Sequence, residues 1–115
     1  MVVNMFDCQD IEGDISVFKH TPALQQLYLS SHEITGNILV FQFTPALEQL
    51  ILAHTRVKGD VSVFANHKNL EELNLHFCGF NIKGDVSVFE STSALKKCCL
   101  TMTNVTGNCL EFSLE

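Results

Sequence analysis

Five cysteines and five histidines are the residues of this 115-residue chain best equipped for chemistry. Thiolates attack carbonyls or pair as disulfides, and thiolate with imidazole makes a zinc site. Cys8, Cys78, Cys98, Cys99 and Cys109 are odd in number and irregularly spaced, and no two of them form Cys-x-x-Cys. They outline neither a secreted disulfide framework nor a metal clip, so reduced thiols are expected. There is no G-x-S-x-G, no H-E-x-x-H and no glycine-rich phosphate loop. No catalytic residue is therefore named and no cofactor is expected. Whether any histidines meet depends on how the chain is laid out, and the glycines disclose that.

Gly13-Asp14-Ile15-Ser16-Val17-Phe18 recurs as Gly36-Asn37-Ile38-Leu39-Val40-Phe41, then from Gly59 to Phe64, from Gly84 to Phe89 and, more loosely, from Gly107 to Phe112. The glycines are 23, 23, 25 and 23 residues apart. Between them, Leu24-Gln25-Gln26-Leu27-Tyr28-Leu29 returns at Leu47–Leu52, Leu70–Leu75 and Leu95–Leu100. The unit is L-x-x-L-x-L-x-x-x-x-I-x-G-(D/N)-(I/V)-x-x-F. A fixed period of this length marks stacked units, each unable to bury its apolar face alone.

This pattern resembles the leucine-rich repeat family along essentially the whole chain. Its I-x-G half is closest to the plant-type subclass, although Ser16, Leu39, Ser62, Ser87 and Leu110 stand where that subclass usually has Pro. The resemblance implies an α/β-type solenoid, a right-handed coil with a short-stranded parallel sheet on its concave face. Residues 1–115 would form one array of about five coils, the first and last incomplete or atypical. Alternation in L-x-L is the strand period, with Leu27 and Leu29 inward and Tyr28 outward. The phenylalanine at the end of each unit is expected to stack into a core spine of Phe18, Phe41, Phe64, Phe89 and Phe112. The Thr-Pro runs at Thr21 and Thr44 disfavour helix before them, so the convex side is expected to be irregular or 3₁₀. The family's asparagine ladder position is held by Gln9, His32, Thr55, Cys78 and Thr103. Each glycine fits a turn with positive φ or a close backbone approach.

A step of 23 residues, 25 at the last coil, sets out the concave columns. The middle one reads Met5, Tyr28, Ile51, Asn74 and Cys99, an apolar strip with strands about 4.8 Å apart. Alongside lie Asp7, Ser30, Ala53, His76 and Thr101, then Cys8, Ser31, His54, Phe77 and Met102. Met5, Tyr28, Ile51, Asn74, Ser30, His54, His76, Phe77 and Thr101 are the expected partner-binding residues. His54 and His76 fall on neighbouring coils, but two ligands make no metal site, and Cys8 lies two coils from His54. Cys98 and Cys109 take core positions as small hydrophobes. The longer fourth segment, Phe77-Cys78-Gly79-Phe80-Asn81-Ile82, adds a bulged loop whose phenylalanines suit an anchor.

The ends look uncapped. Met1 and Asn4 fall at strand leucine positions with Phe6 next, and open ends invite association. The net charge of −6 gives no footprint for nucleic acid, and no stretch has the roughly 20 apolar residues of a membrane span. Asn104-Val105-Thr106 spells a glycosylation acceptor, but Val105 is a core position. The start lacks the basic and apolar regions of a signal peptide, so an intracellular, cytoplasmic location is expected. The expected function is non-catalytic protein–protein interaction or scaffolding through the concave sheet. The alternatives are a structural subunit docked, or self-associating, through its open ends, and a fragment of a receptor-type ectodomain.

Overall fold

The computed structural model describes residues 1–5, 12–100, 102–106 and 111–113. Strands β1 (Val2–Met5), β3 (Gln26–Leu29), β5 (Gln49–Ile51), β7 (Glu72–Asn74) and β9 (Lys97–Cys99) lie side by side in parallel. A second parallel sheet has the order β10 (Thr103–Thr106), β8 (Gly79–Asp85), β6 (Arg56–Asp60), β4 (Ile34–Asn37), β2 (Gly13–Asp14). Each strand of this outer sheet from β2 to β8 runs into a six-residue 3₁₀ helix: η1 (Ile15–His20), η2 (Ile38–Phe43), η3 (Val61–Asn66) and η4 (Val86–Ser91). One coil is therefore inner strand, turn, outer strand, 3₁₀ helix and return. The fold is a leucine-rich repeat solenoid, and its convex side is 3₁₀ as expected.

The core sits between the sheets and the 3₁₀ layer. Leu24, Leu27, Leu47, Leu50, Leu52, Leu70, Leu73 and Leu75 are fully buried. Cys98, opposite Leu73, fills the same column. Phe41 and Phe64 are buried and stacked, with ring centroids 6.3 Å apart, and Phe89 continues the spine. Phe18 is half-buried at its end.

The Gly-(Asp/Asn) dipeptide has a double cause. Asp14, Asn37, Asp60 and Asp85 cap the four 3₁₀ helices, each accepting a hydrogen bond from the backbone N–H two residues on, all at 2.8 Å. That bond also holds the Asp85 carboxyl below the ordinary carboxylate range. Each cap then fills the space over the next coil's glycine. A Cβ on Gly36 would lie 2.6 Å from Asp14 Oδ1, one on Gly59 2.6 Å from Asn37 Oδ1, and one on Gly84 2.7 Å from Asp60 Oδ1. These glycines also have φ of +120 to +129°, closed to L side chains.

The helices end at Thr21, Thr44, His67 and Thr92. Each threonine hydroxyl donates to the carbonyl of the phenylalanine three residues before it. His67 instead reaches the preceding coil, its Nε2 donating to the Phe41 carbonyl at 2.9 Å. The ring is buried, and Nδ1 has no hydrogen-bond partner among the described residues. Burial lowers its pKa, against a smaller opposing effect of the Phe41 carbonyl.

Three expectations are corrected. First, β1 pairs with β3 at a step of 24, so Asn4 lies opposite Tyr28 and Met5 opposite Leu29. Met5 therefore belongs to the Leu29 column, not the concave strip, and Val3 rather than Asn4 packs at the Leu27 position. A one-residue slip exchanges the two faces of a strand, and hydrophobic alternation outweighs constant spacing. Second, β11 (Glu111–Ser113) pairs antiparallel with β9, setting Phe112 opposite Cys98. The chain direction reverses there, so Phe112 is not a fifth member of a parallel spine. Third, the outer sheet was not foreseen.

Candidate functional site

The inner sheet and the turns that leave it form the candidate site. Tyr28, Ile51 and Asn74 pair in register across β3, β5 and β7. Ile51 is only 7% exposed, so the expected open apolar strip is corrected: it is closed at its middle coil. The Tyr28 hydroxyl donates to Gln49 Oε1. Burial and then the Glu72 charge push its pKa up.

The strip meets a ridge at the turns. His54, Phe77 and Met102 have φ of 64, 61 and 63°, the left-handed region that bulky side chains rarely enter. The ladder explains how this backbone is held. The Asn74 side chain accepts from the His76 N–H at 2.9 Å, closing the turn, and the His54 N–H donates to the His76 carbonyl at 2.8 Å. Behind the turns, Thr55 Oγ1 donates to the Leu52 carbonyl at 2.7 Å, and Cys78 Sγ reaches the same carbonyl at 2.9 Å. Thr55 and Cys78 thus serve as ladder residues, and burial raises the Cys78 thiol pKa. His32 does not join them: it is exposed, and its ring meets His54 edge-on at 6.5 Å.

The rings on this ridge form a continuous run. Phe77 stacks on His54 at 5.0 Å between centroids and meets His76 edge-on at 4.2 Å, while His54 and His76 are 5.6 Å apart. Phe77 is 45% exposed and Met102 51% exposed. Of the expected residues, His54, His76 and Phe77 come together, with Asn74 closing their turn and half-buried Tyr28 and Ser30 on the adjoining strip. Met5 and Ile51 depart as described, and Thr101 lies outside the described residues. His32 and Met102 were missed as site residues; Met102 falls in the Phe77 column of the sequence and was the available signal.

The histidine rings pack edge to face, and no group of three His, Cys, Asp or Glu among the described residues is placed to hold a metal ion. The arrangement offers aromatic and thioether surface beside hydrogen-bonding imidazoles, which suits recognition of another molecule. Among the described residues, no helix is long and apolar enough to cross a membrane.

No protein-family model matches the sequence, and no curated protein matches it. Among solved structures, the chain is similar to the BIR2 ectodomain from Arabidopsis thaliana, with a TM-score of 0.71 and 22% identity over 86% of this chain. The chain covers 53%, about half, of that structure's length. The likeness shows the solenoid fold. The expected cytoplasmic location is corrected by the same finding, since the similar molecule is an ectodomain.

Proposed function

We propose that this chain is a non-catalytic protein-recognition module whose partner seats on the inner-sheet strip and the aromatic ridge. The array belongs with the plant-type leucine-rich repeats, spans residues 1–115 in about five coils, and uses Tyr28, Ser30, Asn74, His54, His76 and Phe77 as contacts. Thr101 is kept as a contact by its position in the sequence. The observation that carries this is the left-handed backbone of His54, Phe77 and Met102. Each costs of the order of 1–3 kcal/mol where a glycine would fit, and such strain gathers at binding sites. Here it thrusts a stacked His54–Phe77 pair into solvent beside a rigid sheet.

A fragment of a receptor-type ectodomain is the second reading, favoured by the match to an ectodomain of about twice the length. Both readings assign the same face. A structural subunit docked through its ends draws support from an apolar cleft of about 310 Å³ at the first coil, lined by Val3, Ile15, Phe18, Leu29 and Ile34 among others.

The test is paired substitution. Phe77→Ala and His54→Gly are expected to preserve the far-UV circular dichroism and to weaken the affinity of the partner that co-purifies with the wild type at least about tenfold. Unchanged affinity in both variants would remove the ridge from the site.

A further inference from the structure

We propose that the outer sheet carries a second recognition site, a cleft between β6 and β8 in which Lys58 and Lys83 hold a carboxylate side chain from an acidic segment of a protein partner, with the Phe80 ring against its neighbouring residue. The cleft measures about 260 Å³ and is lined by Asn37, Lys58, Gly59, Phe80, Asn81 and Lys83. It lies in the sheet behind the inner-sheet site and does not depend on that reading.

The two extra residues of the fourth repeat build it. β8 has seven residues where β4 has four and β6 five. Gly79 pairs with Thr103 and Lys83 with the next residue, Asn104, so Phe80, Asn81 and Ile82 have no partner on β10, and of the three Ile82 pairs with Gly59 on β6. Bulges re-aim side chains, often beside functional sites. Ile82 turns into the core, while Phe80 is left 69% exposed, the most exposed large apolar residue described.

The charge pattern selects the ligand. No carboxylate lines the cleft. Asn37 stands where the other three described caps are Asp14, Asp60 and Asp85, so the neutral cap is the one facing the lysines. Asp60 and Asp85 are engaged by the Ser62 and Ser87 amides. Among the described residues, no ion pair reaches Lys58 or Lys83. A chain with a net charge of −6 thus presents two ammonium groups, with no ion pair among the described residues, in one concavity with two neutral amides. The matching occupant is anionic. The volume falls below the usual range for small-molecule pockets, about 300–1,000 Å³, and suits one side chain of a longer segment, for which Phe80 supplies an apolar wall.

The experiment uses the full chain and a fluorescein-labelled peptide of alternating Glu and Leu, read by fluorescence anisotropy, with a Lys/Leu peptide of equal length as control. The acidic peptide should bind saturably, more weakly as salt rises, and the basic one should not compete. K58E/K83E should weaken binding at least about tenfold, and K58Q/K83Q less. F80A should weaken it a few-fold, and F77A should leave it unchanged. K19E/K68E makes the same change in net charge at two other exposed lysines and should have no effect. The proposal fails if the acidic peptide does not bind, if the basic peptide competes equally, or if K19E/K68E weakens binding as much as K58E/K83E.

Discussion

Replacing Gly59 with Ala tests whether the cap of one coil sets the spacing of the next. The new Cβ would stand 2.6 Å from Asn37 Oδ1 and 2.8 Å from Ile38 Cγ1, at φ +129°. Neither neighbour yields easily: Asn37 is bonded to the Leu39 N–H, and Ile38 is fully buried. Backbone strain costs of the order of 1–3 kcal/mol, and forcing a methyl into filled space costs a similar amount. Reduced freedom of the unfolded chain returns about 0.4–1 kcal/mol. The net loss is about 1–6 kcal/mol. Gly79→Ala is the matched control, because its φ is +91° but its Cβ would meet nothing within 4 Å. It carries the backbone cost without the contact. Urea unfolding followed by circular dichroism gives both values. Gly59→Ala should be less stable than Gly79→Ala by at least about 1 kcal/mol. If the two variants lose the same stability, the cap does not occupy the space over the glycine and the nested-coil account fails.

His67 should make the fold acid-sensitive. Its folded pKa lies below the ordinary 6.5 because the neutral ring is buried, so its contribution is full above 6.5 and is lost as pH falls from there toward the folded value. The loss has a limiting slope of about 1.4 kcal/mol per pH unit. His67→Thr, which restores the residue found at Thr21, Thr44 and Thr92, should flatten urea midpoints between pH 7 and 5 relative to the wild type; parallel profiles would refute the assignment. In a Cys8→Ser/Cys109→Ser background, iodoacetamide should modify half-buried Cys99 well before buried Cys78 and Cys98, as mass spectrometry of native protein would show; equal rates would contradict the packing. His54→Gly should raise stability by about 1 kcal/mol, because glycine relieves the φ of 64°. A lower urea midpoint would show that the histidine backbone is not strained.

Much of the architecture is written in side-chain types. The leucine alternation, the stacked Phe41 and Phe64 and the buried Cys98 all follow from the repeat, because each depends on one residue's size and polarity at a fixed phase. The outer sheet was hidden for a physical reason. Its strands run from two to seven residues, and β2, β4, β6 and β8 contain the glycine, so they show no alternation. The sequence misplaces β1 because it carries the 23-residue step past the point where β1 pairs with β3 at a step of 24 and Val3 packs on the core. Ile51 looks open in the sequence, yet it is buried in register between Tyr28 and Asn74 on the two adjacent strands. The ridge was half visible. His54 and Phe77 share a column, but nothing in either residue announces a left-handed backbone, which the Asn74 turn and the next coil's carbonyl impose.

Site-directed photo-crosslinking tests the central claim most directly. A benzoyl-phenylalanine at Phe77, on the ridge, is compared with one at Glu90, exposed on the convex η4, in the presence of the co-purifying partner. Recognition through the inner face predicts a single discrete adduct from position 77 that is absent from position 90. The same adduct from position 90, with none from position 77, would contradict it.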